Sequence, residues 1–267
     1  METSQKSVGV LTVATGPYIE FWKTMALSLD SQKNAVNFRL YVFTDQASEV
    51  RKFEKMLTNI DVKVFSIDSL KWPEATLLRY SLIYKNSTEI SEPLLIHMDA
   101  DMIIHSDIYD YLIKNDLQRM QLVRHPGFYR PSGTSRIRMY LRNPTIALKD
   151  LYRIFKEGGL GTWEKRKSSS AFVPRRRRSR YFAGGVWFGS RQTVLSFCET
   201  MAARTDLDLS NELIAVHNDE SHLNWFAAFH SIHPHLPNLC YFEGYPWLND
   251  FKPLIAAVDK GKNWVRK

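Results

Sequence analysis

The chain has 267 residues, 44% of them hydrophobic and 24% charged, which is enough for one large α/β domain with a sizeable core. No apolar run approaches the roughly 20 residues that a membrane span needs, which excludes a transmembrane protein. Residues 1–7 lack the basic and then apolar pattern of a signal peptide, and two cysteines are too few for a disulfide framework. We therefore expect a cytoplasmic enzyme.

The formal net charge is +8, from 36 Lys and Arg against 28 Asp and Glu. Such a balance favours anionic partners, which include nucleotides, phosphorylated lipids, nucleic acid and acidic glycans. Charge alone does not choose among these partners.

Strands and helices are predicted to alternate over the first half of the chain. Apolar and alternating runs predict strands at 8–14, 38–43, 62–67 and 94–104, and helical spacing predicts helices at 18–29, 48–57 and 74–85. This alternation is typical of parallel βαβ units built as a nucleotide-binding sheet. Because neither GxGxxG nor a GxxxxGK phosphate loop occurs, dinucleotide-binding and P-loop proteins lose their support.

The predicted strand over 94–104 carries Asp99 and Asp101, separated by one alanine. Ligands of open α/β sheets bind beyond the carboxyl ends of the strands, and alternate residues of an extended chain point the same way. Two such carboxylates suit a hard divalent cation that also holds phosphate oxygens, although a strand that ends in a polar turn has the same pattern. Arg79, on the preceding helix, fits a solvated arginine on an amphipathic face.

The second half contains a strand at 121–124, a His125-Pro126-Gly127 turn and a helical pattern from about 135 to 157. A basic run, Arg175 to Arg180, is typical of a solvated loop, but such runs also bind nucleic acid or anionic lipid surfaces.

A strand at 181–190 contains Gly184 and Gly185, which indicate either a close approach by a ligand or a glycine kink in a core strand. A helix starts near residue 217, where Asn218 or Asp219 could act as its cap. Capping and the helix dipole would account for Asp219 and Glu220 without any chemistry.

Taken together and in order, these segments resemble the family 6 retaining glycosyltransferases, which include the blood-group A/B transferases and the α1,3-galactosyltransferases. The resemblance runs from about residue 8 to the C-terminus. HPGFY at 125–129 and DESHLN at 219–224 are its most specific motifs. The other matching pieces are Val13-Ala14 with Tyr18, YVFTDQ at 41–46, Trp72 with Arg79, DADM at 99–102, TWE at 162–164, AGG at 183–185 and Lys262-Asn263.

The resemblance implies a GT-A fold in a single domain over residues 1–267. A Rossmann-like nucleotide-binding sheet over about 8–117 would merge with an acceptor-binding region over about 118–250, and a tail at 251–267 would close on the donor diphosphate. It also implies α1,3-transfer from UDP-GalNAc or UDP-Gal to a galactose-containing oligosaccharide, with Mn²⁺ or Mg²⁺ as cofactor.

The same resemblance assigns roles to individual residues. Glu220 would be the catalytic carboxylate, and Asp99 and Asp101 would bind the metal. The residues implied to bind the donor are Val13, Ala14, Tyr18, Arg79, Asp99, Ala183, Gly184, Gly185, Asp219 and Lys262. The residues implied to bind the acceptor are His125, Thr162 and His217. The resemblance also implies that the triplet at residues 183–185 governs the choice between galactose and N-acetylgalactosamine. Because its small residues leave room for an acetamido group, we expect UDP-GalNAc to be preferred over UDP-Gal.

Some features depart from the mammalian members. Residues 131–160 have no clear counterpart, and no membrane anchor precedes residue 8, so a bacterial or phage origin is expected. The arginines at 175–180 predict an anionic membrane surface as a further partner, and no nucleic acid partner is expected. Two rival hypotheses remain: a basic protein that binds nucleic acid or a membrane surface without transferase activity, and a catalytically silent sugar-binding module.

Overall fold

The computed structural model describes residues 7–32 and 36–260. The strands are β1 (Ser7–Val13), β2 (Asn37–Thr44), β3 (Ile60–Ser66), β4 (Leu94–Met98), β5 (Met102–Ile104), β6 (Met120–Arg124), β7 (Phe182–Ser190), β8 (Ile232–His235) and β9 (Ile255–Ala257). The helices are α1 (Tyr18–Asp30), α2 (Ala47–Glu54), α3 (Glu74–Leu77), α4 (Arg79–Lys85), α5 (Tyr109–Ile113), α6 (Gly133–Arg142), α7 (Pro144–Glu157), α8 (Arg191–Ser210) and α9 (Asn218–Phe229). Single 3₁₀ turns lie at Ser87–Glu89, Arg175–Arg177, Pro237–Leu239 and Pro246–Leu248.

Within these residues, seven strands form a central sheet in the order β3-β2-β1-β4-β7-β6-β8. Only β7 runs antiparallel to its neighbours, β4 and β6, and the other neighbouring pairs are parallel. The predicted alternation of strands and helices in the first half is found in the predicted order. The fold is therefore a mixed α/β fold with a large, mostly parallel sheet.

Both faces of the sheet are covered, because alternate residues of its strands enter different apolar clusters. Val10 of β1 packs with Trp22 of α1 on one face. Leu11, the next residue of β1, belongs to the cluster on the other face, with Tyr80 of α4 and Phe197 of α8. This layering leaves the ends of the strands as the place where polar side chains collect.

The prediction of one continuous strand over residues 94–104 is wrong. The fully buried β4 ends at Met98, and β5 starts at Met102 and leaves the main sheet to pair with β9. Between them the chain turns: the Asp99 N–H donates to the Gly185 carbonyl at 2.9 Å, and the Met102 N–H donates to the Asp99 carbonyl at 3.1 Å. Asp99 and Asp101 nevertheless follow the carboxyl end of β4, as predicted.

Two predicted helices are each divided into two. The helix predicted at 74–85 is interrupted at Leu78 between α3 and α4. The pattern at 135–157 is interrupted at Asn143, because Pro144 has no N–H and disfavours helical geometry in the residue before it. Among the described residues, no helix combines the length and apolar character that crossing a membrane requires.

Candidate active site

A cavity of about 350 Å³ opens at the carboxyl ends of β1 and β4. It collects five side chains that the sequence predicts to bind donor or metal: Val13, Tyr18, Arg79, Asp99 and Asp101. Its walls also include residues for which no role was predicted, among them Thr76, His97 and Lys260. Ala14, also predicted to bind the donor, is instead fully buried in the apolar core beside this cavity.

Arg79 is the central cation of this site, and the expectation that it is a solvated arginine is wrong. It is only 5% exposed. Its Nη1 lies 2.8 Å from Asp99 Oδ1 and 3.6 Å from Asp219 Oδ2, and it donates to the Gly184 carbonyl at 3.3 Å. Burial raises the pKa of Asp99, but the charge of Arg79 outweighs it and holds that pKa well below its usual range.

His97, the fourth residue of β4, is held neutral. Its ring stacks on Trp187 with centroids 4.5 Å apart, and its Nε2 lies 2.9 Å from Arg79 Nη1. Because a guanidinium can only donate, this Nε2 accepts the hydrogen bond and carries no proton. Burial lowers the pKa of His97 to about 4, and the charge of Arg79 acts in the same direction.

This neutral histidine predicts acid sensitivity of the fold. The pKa of His97 is lower in the folded protein than in the unfolded chain. Its contribution to the stability of the fold is therefore fully present above the ordinary pKa of 6.5 and is lost as the pH falls towards about 4. The loss should reach about 3 kcal/mol of unfolding free energy. His97→Gln keeps an acceptor for Arg79 but does not titrate, so its unfolding free energy should depend less steeply on pH in urea titrations.

The matched control is His230→Gln, at an exposed position just after α9. It should leave the wild-type pH dependence intact. Equal slopes for the wild type and His97→Gln between pH 4 and 6.5 would show that His97 is not held neutral.

Asp101 is paired within the chain to Lys260, whose ammonium contacts its carboxylate. Lys260 also lies 4.6 Å above the ring of Tyr18. Burial and the charge of Asp99 raise the pKa of Asp101, in opposition to Lys260. No role was predicted for Lys260 from the sequence. The only signal was its position shortly before Lys262, which was predicted to bind the donor. Lys262 itself lies outside the described residues.

Asp219 and Glu220 enter the site from the first turn of α9. Glu220 Oε2 accepts a hydrogen bond from the Gly184 N–H at 3.0 Å. Burial raises the pKa of Asp219 to about 6 against the pull of Arg79, and it also raises the pKa of Glu220. The N-cap residue of α9 is His217, so the interpretation of Asn218 or Asp219 as the cap is wrong.

The paired glycines of β7 allow the acids to approach the strand. A Cβ at Gly184 would lie 3.1 Å from Asp219 Oδ2, and a Cβ at Gly185 would lie 3.1 Å from Asp99 Oδ2. Ala183, the first residue of this predicted donor-binding triplet, is buried in the core. None of the three residues lines the 350 Å³ cavity, and Gly184 and Gly185 lie instead against Asp219 and Asp99.

Two of the predicted acceptor residues meet around Tyr181. The His125 ring packs 5.8 Å from the ring of Tyr181, and the Tyr181 hydroxyl donates to the Thr162 carbonyl at 3.0 Å. Burial lowers the pKa of His125 to about 4, and its Nδ1 accepts from the Gly127 N–H at 3.0 Å. Nε2 of this neutral ring therefore carries the proton.

His217, the third predicted acceptor residue, is exposed immediately before α9, and its charge lowers the pKa of Glu220. Tyr181 was missed by the sequence reasoning, although it lies directly before the glycine-containing strand. The nearby Tyr181 hydroxyl lowers the pKa of Glu220, so Tyr181 connects the acceptor residues with the predicted catalytic carboxylate.

Asp99 and Asp101 fit a hard divalent cation. Among the described residues, no three His, Cys, Asp or Glu side chains form a complete metal cluster. Sites for Mg²⁺ that hold phosphate need only one or two carboxylates, however, because water and phosphate oxygens supply the other ligands. Both carboxylates line one cavity, and Asp99 raises the pKa of Asp101 by repulsion, so an added cation would relieve this repulsion.

Comparison with known proteins supports the same relationship. Residues 150–267 match the model of Glycosyltransferase family 6. Over 84% of its length the chain is 26% identical to Histo-blood group ABO system transferase 1 of Rattus norvegicus, and it spans 57% of that protein. Over 83% of its length it is 26% identical to the O-antigen biosynthesis glycosyltransferase WbnI of Escherichia coli, and it spans 82% of that protein.

A third relative is Globoside alpha-1,3-N-acetylgalactosaminyltransferase 1 of Gallus gallus. It is 22% identical over 97% of this chain and 69% of its own length. The chain thus spans little more than half of the rat transferase but most of the bacterial one. These matches confirm that the chain is related to the glycosyltransferases of family 6, as its motifs predict.

Proposed function

We propose that the chain is a retaining α1,3-glycosyltransferase that moves GalNAc, or Gal, from UDP to a galactose-containing glycan with the help of Mn²⁺ or Mg²⁺. The observation that carries this proposal is the convergence of Arg79, Asp99 and Asp101 on one cavity, with Asp219 held against Arg79 and Glu220 against the neighbouring Gly184. The sheet order, with its single reversed strand β7, supports a GT-A fold, and we propose that residues 1–267 act as one such domain.

Different parts of the cavity suit different parts of the donor. Tyr18 and Trp72 line it and supply aromatic surface for a uracil base, and the valine at the end of β1 lies beside them. Arg79 and Lys260 supply positive charge for the diphosphate and donor sugar. Asp99 and Asp101 would hold the metal, which when bound neutralises the charge that develops on the leaving diphosphate.

Glu220 would act at the anomeric carbon. Retention follows either from a carboxylate on the face of the sugar opposite the acceptor, acting as a nucleophile or as a stabiliser of an oxocarbenium-like centre, or from front-face attack within an ion pair. The Gly184 N–H fixes one carboxylate oxygen of Glu220 by a hydrogen bond. On the acceptor side, the Nε2–H of the neutral His125 can donate to a sugar hydroxyl.

The rival hypothesis of a nucleic-acid-binding protein gains little from the arginine run. Arg175 donates to the carbonyls of Ile154 and Phe155, and Arg178 donates to those of Val173 and Glu157. These guanidiniums hold the end of α7 in place, so they are not free to follow a phosphate backbone.

Release of UDP tests the proposal. UDP-GalNAc and UDP-Gal are each supplied with a galactose-terminated acceptor and Mn²⁺, and free UDP is measured. We expect turnover of both donors, with UDP-GalNAc faster, and a difference of about 10- to 200-fold because one extra substituent in a pocket rarely gives more. No release from either donor would contradict the transferase assignment, and faster use of UDP-Gal would contradict the donor preference.

Asp101→Asn tests the metal. It keeps the shape of the side chain but removes a charge, so UDP release should fall at least about a hundredfold, as it should on addition of a chelator to the wild type. The control is Asp61→Asn, an exposed β3 position, which should behave as the wild type does. Full activity of Asp101→Asn in the presence of chelator would exclude a metal at this carboxylate.

A further inference from the structure

Helix α7 exposes its apolar side instead of burying it. Leu148, Leu151, Tyr152 and Phe155 follow the i, i+3, i+4, i+7 spacing of one helix face, and each is more than 60% exposed, with Phe155 at 80%. A stripe of this spacing on a helix normally packs against the core. Here it is left uncovered on the surface of the protein.

The opposite side of α7 attaches to the protein through charge. Asp150 is buried, and its carboxylate receives hydrogen bonds from the Arg130 guanidinium at 2.6 and 2.8 Å and from the Tyr140 hydroxyl at 3.0 Å. The Arg130 guanidinium in turn lies 3.8 Å above the ring of Trp247. Since this buried ion pair fixes which side of α7 faces inward, the outward direction of the apolar stripe is built into the fold.

Helix α6 extends the apolar surface. Ile137 and Leu141 lie one turn apart and are 61% and 79% exposed. Together with the four residues of α7 they form what we term the outer face, which consists of Ile137, Leu141, Leu148, Leu151, Tyr152 and Phe155. Exposed apolar side chains of this number on two consecutive helices mark a surface that is covered in use.

Basic residues border the outer face. Helices α6 and α7 carry six of them, namely Arg136, Arg138, Arg142, Lys149, Arg153 and Lys156. Their two acids are both engaged elsewhere, Asp150 with Arg130 and Glu157 with Lys165. Arg175, at the start of the arginine run, donates to carbonyls near the end of α7, and the next residue, Arg176, is exposed.

We infer that the outer face docks on an anionic lipid bilayer. Leucine and phenylalanine side chains would enter the boundary of the acyl chains, and the basic border would meet the negative headgroups. A second copy of the chain would bring two positive borders together, and nucleic acid would leave the apolar stripe uncovered. An anionic bilayer matches both the apolar and the charged character of the surface.

Docking on this face would bring a second cavity close to the membrane. That cavity, of about 340 Å³, is lined by the basic side of α7, Lys149, Arg153 and Lys156, together with Thr162. Lipid binding needs neither donor nor acceptor, so it can hold or fail independently of the proposed transferase activity.

Vesicle sedimentation tests the inference. The purified full chain is mixed with vesicles of phosphatidylcholine, either alone or with about 30 mol% phosphatidylglycerol, which gives the vesicles a negative surface potential. We expect sedimentation with the anionic vesicles only, weakened by added salt. The double variant Leu151→Ser/Phe155→Ser should lower the apparent affinity by roughly a hundredfold, because two large apolar side chains no longer enter the bilayer.

The matched control is Met56→Ser, at an equally exposed apolar position outside the outer face, which should bind as the wild type does. Lack of sedimentation with anionic vesicles, or an equal loss for Met56→Ser, would overturn the inference. Concentration-dependent dimers that Leu151→Ser/Phe155→Ser abolishes, without vesicle binding by the wild type, would assign the outer face to a second copy and would also overturn it.

Discussion

Glu220→Gln is expected to lower UDP release by about a thousandfold and, at the same time, to make the protein more stable at neutral pH. The activity falls because the amide carries no negative charge to stabilise the positive charge that develops at the anomeric carbon. The stability rises because burial elevates the pKa of Glu220, so that its ionised form opposes folding once the pH exceeds the usual carboxyl range. The amide oxygen still accepts the hydrogen bond of the Gly184 N–H.

Both effects are measured on one preparation, by UDP release and by thermal unfolding at pH 7. Glu49→Gln, at an exposed position of α2, is the control, and it should retain full activity. A Glu220→Gln protein with activity within tenfold of the wild type would remove Glu220 from the reaction. An inactive variant with a lowered melting temperature would indicate that the amide disturbs α9.

Arg79→Gln should have the largest effect on the fold itself. Asp99 and Asp219 lie 2.8 and 3.6 Å from the same guanidinium nitrogen, and without this cation the buried charge of Asp219 and the partly exposed charge of Asp99 are left uncompensated. Removing one partner of a buried ion pair costs about 3–5 kcal/mol. Urea unfolding at pH 7 should show a loss of this size, and the loss should shrink as the pH is lowered, because the carboxyls can then take up protons.

Arg119→Gln provides the comparison. Its guanidinium pairs with Asp116 at the surface, where an ion pair contributes no more than about 1 kcal/mol. If Arg79→Gln and Arg119→Gln were equally stable, Arg79 would not be the cation that holds these acids. Should Arg79→Gln fail to fold at all, Arg79→Lys is the second variant. It keeps the charge, so it should fold with part of the lost stability restored.

The parts of the fold that follow local rules could be predicted from the sequence. Apolar runs such as that of β4 and the alternation with helices gave the parallel half of the sheet in order. The break at Asn143 could also have been predicted, because Pro144 follows it. The departure of β5 from the main sheet could not, since it depends on pairing with β9, about 150 residues later in the chain.

The candidate site was likewise predictable where local motifs define it and not where it depends on tertiary contacts. Motif matches identified Asp99, Asp101 and Glu220, but the burial of Arg79 was misjudged because helical spacing does not reveal which side of a helix faces the protein. The two acids at the start of α9 were explained equally well by capping until Gly184 was found beside Glu220. Lys260 depends on a tertiary contact that no local pattern encodes.

The fluorescence of Trp72 should report ligand binding in the cavity. Its indole lines the cavity and is about half exposed, whereas Trp22, Trp163 and Trp187 are buried. A ligand that fills the cavity covers this indole and moves its emission to shorter wavelengths, while the buried indoles already emit from an apolar environment. Binding of the proposed UDP-sugar can thus be tested by intrinsic fluorescence on the unlabelled protein, without an acceptor glycan.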